Sequence, residues 1–558
     1  MPAAENYGFS LVQLLEGLGD SKAYQHPVGA INVIQTHASV VFLAGEFAYK
    51  IKKNIKLVFL DYSTLELRLH YCQKEIELNR RLADNIYLGV VPIVRGGEGL
   101  RVEKGLVPAA NQVESEAKNN IVVEYAVKMR RLDEEHTLKA ILRRGEIDKT
   151  DIESLADKIA EFHQIPSTDP AMLKWGEYAS IEKNLLDNVE ELSSLIDTVL
   201  ALETWQRIQA LTRNWLERCR NTIRSRALRG IPRDGHGDLR LEHIYRNPTG
   251  PNSGWQIVDC IEFSDGFRYG DPLSDVAFLL MEMDFYGYKP EAKLFRNRYL
   301  LQSESITKDE AAVQDLLDLY LGYRALVRAK VDGIKAQDPA VDEQERSRAK
   351  NRGRGLALFA LQKMECLERR PCLVLLGGLP GTGKSTLARE LAQHFGFEWI
   401  RSDEIRKELL GIPETQSASE PWGEGAYSSE WNEKTYSECL RRVCQRLFAG
   451  ARVVVDASFR SVNQRHRFLD KARELSIPVE FWVCHANEKI VRSRLAQRNV
   501  ESHVDASDAD WLIYQKAQAS WEEHPEDSTI QPKIVCTNNG IEAALRVSKS
   551  CLEQSALL

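Results

Sequence analysis

One glycine-rich segment of the chain has the residue types and spacing that bind phosphate groups. Residues 378–385 read G-L-P-G-T-G-K-S and match the pattern G-x-x-x-x-G-K-[ST], between an apolar run and the opening of a helix. Glycines let backbone N–H groups approach phosphate oxygens, and a helix N-terminus adds a favourable dipole. The segment therefore predicts a nucleoside triphosphate site, with the lysine on the β- and γ-phosphates and the next hydroxyl on Mg²⁺. The residues expected to bind the nucleotide are Gly378, Gly381, Thr382, Gly383, Lys384, Ser385 and Thr386.

Two acidic residues follow this loop at places where phosphoryl transfer needs them. Asp403, in the segment R-S-D-E-I-R-K at 401–407, could orient an acceptor hydroxyl and take its proton. Asp456 ends the apolar run 453–455 and could reach Mg²⁺ directly or through water. Arg406, one helical turn beyond Asp403, could bind an acidic group of the acceptor. Alternatively, Asp403 could serve as the cap of the following helix.

A later helical stretch is rich in arginine. Arg492, Arg494 and Arg498 precede the polar segment 499–508, and the last two arginines are four residues apart and share a helix face. Such side chains could clamp the transferring phosphoryl group, or they could form a solvated helix face. The irregular segment 412–430 is expected to be either a substrate lid or a surface loop.

These motifs resemble the small P-loop kinases, a family that includes polynucleotide 5′-hydroxyl kinases, zeta-type toxins and chloramphenicol phosphotransferase. The match rests on the loop at 378–386, the S-D-x-x-R-K segment, the V-V-D-A segment and the arginine-rich stretch. In that family the acid after the second strand is the catalytic base, which implies this role for Asp403. Lid arginines assist transfer, which implies that role for Arg494 and Arg498. The family transfers phosphoryl groups to hydroxyls, and its acceptors differ widely.

A second group of residues suited to phosphoryl transfer lies in the first half of the chain. Asp238 sits in a polar H-G-D loop, and Asp259 ends a short apolar strand about twenty residues later. In this arrangement the first acid positions a hydroxyl acceptor and the second holds Mg²⁺ on the ATP phosphates. Upstream, Lys50 could pair with Glu75 of the following helix and contact the phosphates. Glu124, in an apolar strand, could lie in the hinge that touches adenine.

In order and spacing, these elements resemble the aminoglycoside and choline phosphotransferases, which have a protein-kinase-like fold. Asp271 and Asp275 also match, and they are expected to anchor the loop. The whole chain resembles bacterial two-domain proteins in which such a domain is fused to a predicted P-loop kinase. The sequence departs from the kinase pattern at His243, where an asparagine normally binds Mg²⁺. Imidazole is a poor Mg²⁺ ligand, so His243 could bind Mn²⁺, hydrogen-bond to Asp259 or mark a weakened catalyst.

Composition narrows the class of protein. The chain has 558 residues, of which 43% are hydrophobic and 28% charged, as in ordinary globular domains. A net charge of −7 disfavours a dedicated nucleic-acid binder. Ten cysteines without a C-x-x-C pair indicate reduced thiols rather than a zinc site or a disulfide framework. The sequence shows neither a signal peptide nor an apolar run of membrane-spanning length, so a cytoplasmic protein without a membrane partner is expected.

The elements that must position these residues follow from hydrophobic patterning. Strand candidates at 373–376, 399–400, 453–455, 481–484 and 534–536 alternate with helices, which predicts an α/β P-loop NTPase fold with a parallel sheet flanked by helices. The first half combines short strands and a helix over 65–83 with a helical region, which suits an α+β, protein-kinase-like fold. The predicted boundaries are a kinase-like domain at 1–330, a charged helical connector at 331–370 and a P-loop kinase domain at 371–558.

The sequence thus predicts a phosphotransferase that uses ATP and Mg²⁺. The P-loop domain would move the γ-phosphate to a hydroxyl of a small molecule, and the N-terminal domain would hold a second kinase-like site. Two alternatives stay open. The protein could be a nucleic-acid 5′-hydroxyl kinase, or it could be an ATP-hydrolysing switch whose N-terminal domain senses a ligand or protein without catalysis.

Overall fold

The computed structural model of the chain describes residues 10–57, 60–97, 99–103, 105–106, 121–166, 170–247, 254–307, 310–413, 428–500, 509–524 and 530–558. Two compact units form from segments that alternate along the sequence. The first comprises Met1–Ile181 and Arg220–Leu317, and the second comprises Glu182–Cys219 and Asp318–Leu558. Each unit mixes helices and strands.

The first unit opens with an antiparallel sheet and one long helix. Its elements are α1 (Leu11–Leu18), β1 (Asn32–Gln35), β2 (Ser39–Ala44), β3 (Phe47–Lys52), β4 (Lys56–Leu57), β5 (Leu60–Asp61), α2 (Leu65–Ala83), β6 (Tyr87–Gly96), β7 (Gly99–Val102) and β8 (Ile121–Arg130). Six strands form a sheet in the order β1-β2-β3-β8-β6-β7, and β4 pairs with β5. The predicted helix over 65–83 is confirmed as α2, whose start is capped by the Thr64 side chain. Ile76 of α2 packs in one cluster with Tyr125 and Val127 of β8.

Helices dominate the rest of the first unit, with a polar insertion between them. The elements are α3 (Leu138–Arg144), α4 (Lys149–Gln164), α5 (Pro170–Trp175), α6 (Tyr178–Glu191), α7 (Leu202–Leu228), β9 (Arg233–Asp234), β10 (Ile244–Asn247), β11 (Gly254–Ile257), α8 (Asp265–Arg268), β12 (Tyr269–Gly270), α9 (Pro272–Phe285), α10 (Lys289–Gln302), α11 (Glu304–Thr307) and α12 (Glu310–Gln337). Strands β10 and β11 form an antiparallel hairpin with Ile244 opposite Ile257, and β9 pairs with β12. The boundaries between the two units fall within α6, α7 and α12.

The second unit is built on a parallel sheet. Its further elements are α13 (Glu343–Met364), β13 (Cys372–Gly377), α14 (Lys384–Phe395), β14 (Phe397–Arg401), α15 (Ser402–Leu410), α16 (Ser429–Phe448), β15 (Arg452–Asp456), α17 (Val462–Glu474), β16 (Val479–His485), α18 (Glu488–Val500), α19 (Trp511–Ala519), β17 (Lys533–Cys536) and α20 (Ile541–Gln554). The strand order is β14-β15-β13-β16-β17, and every neighbouring pair is parallel. Residues of β13 and β15 alternate between two apolar clusters that also contain residues of the flanking helices, so this sheet has helices on both faces. The predicted parallel α/β fold of the C-terminal region is confirmed.

The division into units differs from the predicted domain boundaries. Residues 182–219 were placed in the first domain, but Trp215 donates a hydrogen bond to the Met364 carbonyl at 2.7 Å and Arg207 pairs with Glu365 at 2.7 Å. The predicted connector contributes α13, whose residues from Leu356 to Leu361 are all buried. The dense charge of its first half obscured this apolar stretch, which packs in the second unit.

Three further observations bear on the class of protein. Across the described ranges, no helix is long and apolar enough to cross a membrane. All ten cysteines are free, in line with the reduced thiols that their spacing predicted. Among the described side chains, no three or more His, Cys, Asp or Glu residues are grouped as a metal site.

A buried ion pair gives a test of what holds the first unit together. Arg226 donates to the Asp271 carboxylate at 2.5 and 2.8 Å, and both side chains are 5% exposed. Asp271 also caps α9 by accepting a hydrogen bond from the Leu273 amide at 2.9 Å. Because removing one member leaves the other charge buried, Asp271→Ala should lower the free energy of unfolding by about 3–5 kcal/mol.

Urea unfolding of the purified protein measures this loss. The control variant Glu153→Ala removes the pair with Lys149, which spans 3.5 Å and has a 72% exposed lysine. Such a surface pair should contribute less than about 0.5 kcal/mol. Equal, small losses for the two variants would contradict a structural role for the buried pair.

Candidate active site

The phosphate-binding loop connects the end of β13 to the start of α14. Gly378, Gly381 and Gly383 have φ angles of 135°, 74° and 91°, a region that side chains other than glycine rarely occupy. A Cβ atom on Gly378 would lie 2.6 Å from the carbonyl oxygen of Cys484. The loop can therefore keep its close approach to the sheet only with glycine at this position.

Lys384 and Ser385 are the first residues of α14. The Lys384 ammonium donates to the Leu379 carbonyl at 3.0 Å, and the Thr382 hydroxyl donates to the same oxygen at 2.7 Å. Lys384 thus lies folded over the loop, where a phosphate group of a nucleotide would bind. Of the expected nucleotide-binding residues, Gly381, Gly383, Lys384, Ser385 and Thr386 line one cavity.

Asp456, the last residue of β15, lies beside Ser385. Its side chain is 4% exposed, and its Oδ2 atom has no hydrogen-bond partner among the residues that the structure describes. Arg401 Nε is 3.8 Å from Oδ2, which is too far for a hydrogen bond. Burial raises the pKa of Asp456, while the nearby Lys384 and a hydrogen bond from Ser385 oppose this rise. A buried carboxylate oxygen next to a hydroxyl is a suitable pair of ligands for Mg²⁺, which prefers oxygen.

Asp403 lines the same cavity as Lys384, Ser385 and Asp456. Helix α15 begins at Ser402 and Arg401 occupies its N-cap position, so Asp403 lies inside the first turn of the helix. The alternative interpretation of Asp403 as a helix cap is therefore wrong. The cavity brings a carboxylate that could serve a hydroxyl acceptor to the residues that would hold the phosphates.

Two arginines line the cavity near Asp403. Arg406 is 6% exposed and donates to the Asn432 side chain at 2.9 Å. Arg460 donates to the Ser520 hydroxyl at 2.7 Å, and burial lowers the pKa of its guanidinium, as does the nearby charge of Arg406. Arg460 was not among the site residues predicted from the sequence. Its position four residues after Asp456, at the carboxyl end of a central strand, was the available signal.

The arginine-rich helix α18 supports the loop rather than lining the cavity. Arg494 donates to the Gly381 carbonyl at 3.4 Å and to the side chain and carbonyl of Thr537 at 3.0 and 2.8 Å. Arg494 is not among the described residues that line the cavity, which differs from the catalytic role expected for it. Its guanidinium is held by Thr537, the residue that follows β17, and this contact was not predicted. The Arg498 side chain and most of the two expected lid segments, 414–427 and 501–508, lie outside the described residues.

A second cavity, of about 810 Å³, lies in the first unit. Lys50, Asp238, His243 and Asp259 all line it, although they come from distant parts of the sequence. The volume lies within the range of about 300–1,000 Å³ that is usual for small-molecule sites. The structure therefore brings four of the predicted N-terminal site residues to one cleft.

Lys50 of β3 joins the antiparallel sheet to helix α2 and to the segment that carries Asp259. Its ammonium lies 2.9 Å from Glu75 Oε1 of α2 and 2.6 Å from Asp259 Oδ1. Burial raises the pKa of Asp259, but the charge of Lys50, the nearby His243 and the hydrogen bond from Lys50 together outweigh this effect and hold that pKa well below its usual range. Asp259 has a positive φ of 64°, a backbone conformation that residues other than glycine rarely adopt.

A second lysine of this charged network, Lys52, was not predicted from the sequence. Lys52 follows Lys50 on the same face of β3 and is 1% exposed. It lies 2.8 Å from Glu75 Oε2 and also pairs with Glu262. Desolvation lowers the pKa of Lys52, but the two carboxylates outweigh it and raise that pKa well above its usual value. Glu75 is therefore shared by two lysines, and the i, i+2 spacing on one strand was the signal for this.

The loop with Asp238 is anchored by Asp275, as expected. The Asp275 carboxylate accepts hydrogen bonds from the amides of His236 and Gly237 at 2.6 and 2.9 Å. His163 Nε2 lies 3.2 Å from the same carboxylate, so His163 supports the loop from the helical core. Burial lowers the pKa of His236 to about 4, and this ring stays neutral at physiological pH.

His243 lies between the two predicted acids of the cleft. Its Nδ1 atom is 2.9 Å from the carbonyl oxygen of Asp238, and its Nε2 atom is 3.6 Å from Asp259 Oδ2. The second distance is too long for a hydrogen bond. His243 is therefore oriented by the backbone of the loop, and a gap separates it from Asp259.

The placement of Glu124 corrects one prediction. Glu124 is buried near the start of β8, and both of its carboxylate oxygens accept hydrogen bonds from Arg68 Nε, at 2.9 and 2.8 Å. It is not among the described residues around the cleft, whereas residues 129–135, at the end of β8 and just after it, are. The side chain of Glu124 is thus paired with Arg68, away from the cleft in which a contact with adenine was predicted for it.

Comparisons with known proteins support the P-loop domain in the C-terminal part of the chain. Residues 373–521 match the sequence model of a family described as AAA domain. An uncharacterized protein of Mycobacterium tuberculosis and one of Mycobacterium bovis are each 28% identical to the chain over 517 residues, which cover 92% of this chain and 96% of each relative. These relatives are thus similar to both halves of the chain.

Several solved structures are similar to about a third of the chain. A gluconokinase from Sinorhizobium meliloti 1021 is 18% identical, with 34% of this chain and 95% of that chain covered and a TM-score of 0.25. Kti12 of Chaetomium thermophilum in complex with ADP-AlF3 is 15% identical, with 32% and 97% covered and a TM-score of 0.26. The family match contains the phosphate-binding loop, so the C-terminal part of the chain is a P-loop nucleotide-binding domain.

Proposed function

We propose that the C-terminal domain is an ATP-dependent phosphotransferase that moves the γ-phosphate of ATP to a hydroxyl acceptor. The observation that carries this proposal is the shared cavity of Lys384, Ser385, Asp456 and Asp403. Binding and hydrolysis of ATP would need only the loop, a metal ligand and water. A carboxylate and arginines beyond the phosphate loop favour a separate acceptor.

Each residue has a role in the proposed reaction. Asp403 takes the proton of the acceptor hydroxyl while its oxygen attacks the γ-phosphorus and the bond to the β-phosphate oxygen breaks. Lys384 leaves the Leu379 carbonyl and stabilises the negative charge on the transferring group. Ser385 and the unpartnered oxygen of Asp456 would hold Mg²⁺, which neutralises charge on the phosphates when bound. Arg494 keeps the loop in shape through Gly381.

The N-terminal cleft supports a second kinase-like site. Lys50 would bind phosphates while Glu75 orients it, and Asp238 would position a second hydroxyl acceptor. One specific contact favours the alternative of a non-catalytic sensor: Lys50 and Asp259 pair directly at 2.6 Å, so the ammonium that would bind phosphates already has a carboxylate partner. Selective inactivation of each domain therefore decides how much chemistry the first unit contributes.

Asp403→Asn tests the proposed base. The amide cannot accept the hydroxyl proton, so kcat should fall about 10²–10⁴-fold, whereas the affinity for ATP should change little. Glu408→Gln is the matched control, because Glu408 lies on the same helix with its side chain 63% exposed and pairs with Arg442. Steady-state kinetics and isothermal titration with ATP measure both quantities. Full activity of the Asp403 variant would exclude it as the base.

Lys384→Ala tests which domain performs the observed transfer. Loss of the ammonium should lower transfer by the P-loop domain about 10²–10³-fold, roughly 3–4 kcal/mol of transition-state stabilisation. The assay follows γ-labelled phosphate from ATP into a metabolite and RNA extract, with wild type, Lys384→Ala, Asp238→Asn and the double variant. Product that persists in Lys384→Ala and disappears in the double variant would come from the N-terminal site. Undiminished transfer in the double variant would contradict both site assignments.

Arg406→Gln tests the chemistry of the acceptor. Because Arg406 and Arg460 bring two positive charges to the cavity, we expect an acceptor with a carboxylate or phosphate group. Loss of one charged hydrogen bond should raise the acceptor KM about 10–100-fold, with a smaller change in kcat. A neutral analogue of the acceptor should be equally poor with both proteins. An acceptor identified as a 5′-hydroxyl oligonucleotide would support the end-healing alternative, and an unchanged KM would contradict this role of Arg406.

A further inference from the structure

We propose that the N-terminal cleft holds a divalent transition-metal ion, such as Mn²⁺, between His243 and Asp259 in preference to Mg²⁺. This inference rests on the proposed second nucleotide site, since the nucleotide supplies further ligands. Imidazole nitrogen is a good ligand for transition metals, whereas Mg²⁺ prefers oxygen. The His243–Asp259 pair is therefore a mixed nitrogen and oxygen donor set.

The hydrogen bonding of His243 prepares one nitrogen for a metal. Its Nδ1 atom lies 2.9 Å from the carbonyl oxygen of Asp238. A carbonyl oxygen can only accept, so Nδ1 carries the proton and the lone pair of the neutral ring is on Nε2. A histidine that binds a metal commonly has its other nitrogen fixed by a carbonyl or carboxylate in this way.

The distance between the two donor atoms fits one shared ion. His243 Nε2 and Asp259 Oδ2 are 3.6 Å apart. With metal–ligand bonds of about 2.1–2.2 Å, an ion equidistant from both atoms would make a nitrogen–metal–oxygen angle of about 110–120°. This angle suits a tetrahedral or an open, distorted site. The two atoms are too far apart for a direct hydrogen bond. Their separation leaves room for an ion that is bonded to both.

The charges around the gap favour a cation. Only Oδ1 of Asp259 accepts the hydrogen bond from the Lys50 ammonium, at 2.6 Å, which leaves Oδ2 facing His243. Lys50 and Lys52 share three buried or partly buried carboxylates, those of Glu75, Asp259 and Glu262. Asp238, whose Oδ2 atom is 3.5 Å from His243 Nδ1, adds a fourth carboxylate to the cleft. The negative groups thus outnumber the lysines, and a bound cation reduces their repulsion.

The test uses Mn²⁺ and the non-hydrolysable nucleotide AMPPNP, with all proteins in the Lys384→Ala background to weaken the P-loop site. In the protein with His243, electron spin echo spectra of bound Mn²⁺ should show coupling to an imidazole nitrogen. Titration of the free Mn²⁺ signal, with Mg²⁺ as competitor, gives the preference between the two ions. His243→Asn should remove the nitrogen coupling and lower the Mn²⁺ over Mg²⁺ preference at least 10-fold.

His70→Asn is the matched control, because His70 is an exposed histidine of α2 in the same unit and does not line the cleft. It should leave the nitrogen coupling and the ion preference unchanged. Absence of nitrogen coupling with His243 present, or an unchanged ion preference in His243→Asn, would overturn the metal inference alone. Failure of AMPPNP to bind the Lys384→Ala protein, measured by calorimetry, would overturn the second nucleotide site together with it. The spectrum of the protein with His243 intact does not depend on how the variant folds.

Discussion

The parallel register of three strands determines the geometry of the C-terminal site. Leu376 of β13 lies opposite Asp456 of β15, which in turn lies opposite Arg401 of β14. Parallel strands have their carboxyl ends at the same edge of the sheet. The phosphate loop, the buried aspartate and the start of α15 therefore meet at that edge. A shift of this register by one residue would turn the Asp456 side chain to the other face of the sheet and separate it from Ser385.

The first unit reaches a comparable arrangement by different means. Its sheet is antiparallel, so the ends of neighbouring strands point in opposite directions and no single edge collects the polar residues. Charge pairing performs that task instead: Glu75 of the buried helix face contacts Lys50 and Lys52, and these lysines reach Asp259 and Glu262 from the polar insertion. A buried network of this kind is costly to desolvate, and it remains stable only while each charge keeps its partners.

The carboxylates that we propose as metal ligands differ between the two cavities in their surroundings. Asp456 offers an oxygen without a hydrogen bond next to the Ser385 hydroxyl, and burial raises the pKa of its carboxyl group. Asp259 is partly exposed and is kept ionised by Lys50. A bound cation would stabilise the ionised carboxylate of Asp456 more, because burial disfavours its charge. The carboxylate of Asp259 already has a positive neighbour in Lys50. His243 adds a nitrogen donor to the second site alone.

The sequence by itself determined the local elements and most of the candidate residues of the two cavities. The five C-terminal strands, helix α2, the phosphate loop and the acids at 238, 259, 403 and 456 all follow from local signals: hydrophobic period, glycine spacing and acids at strand ends. Tertiary structure decided which of these residues share a cavity. It placed Arg460 near Arg406, turned Arg494 toward Thr537, paired Glu124 with Arg68 and assigned residues 182–219 to the second unit. These outcomes depend on contacts between segments distant in sequence, and no local pattern records which partner a buried charge or an amphipathic helix face will meet.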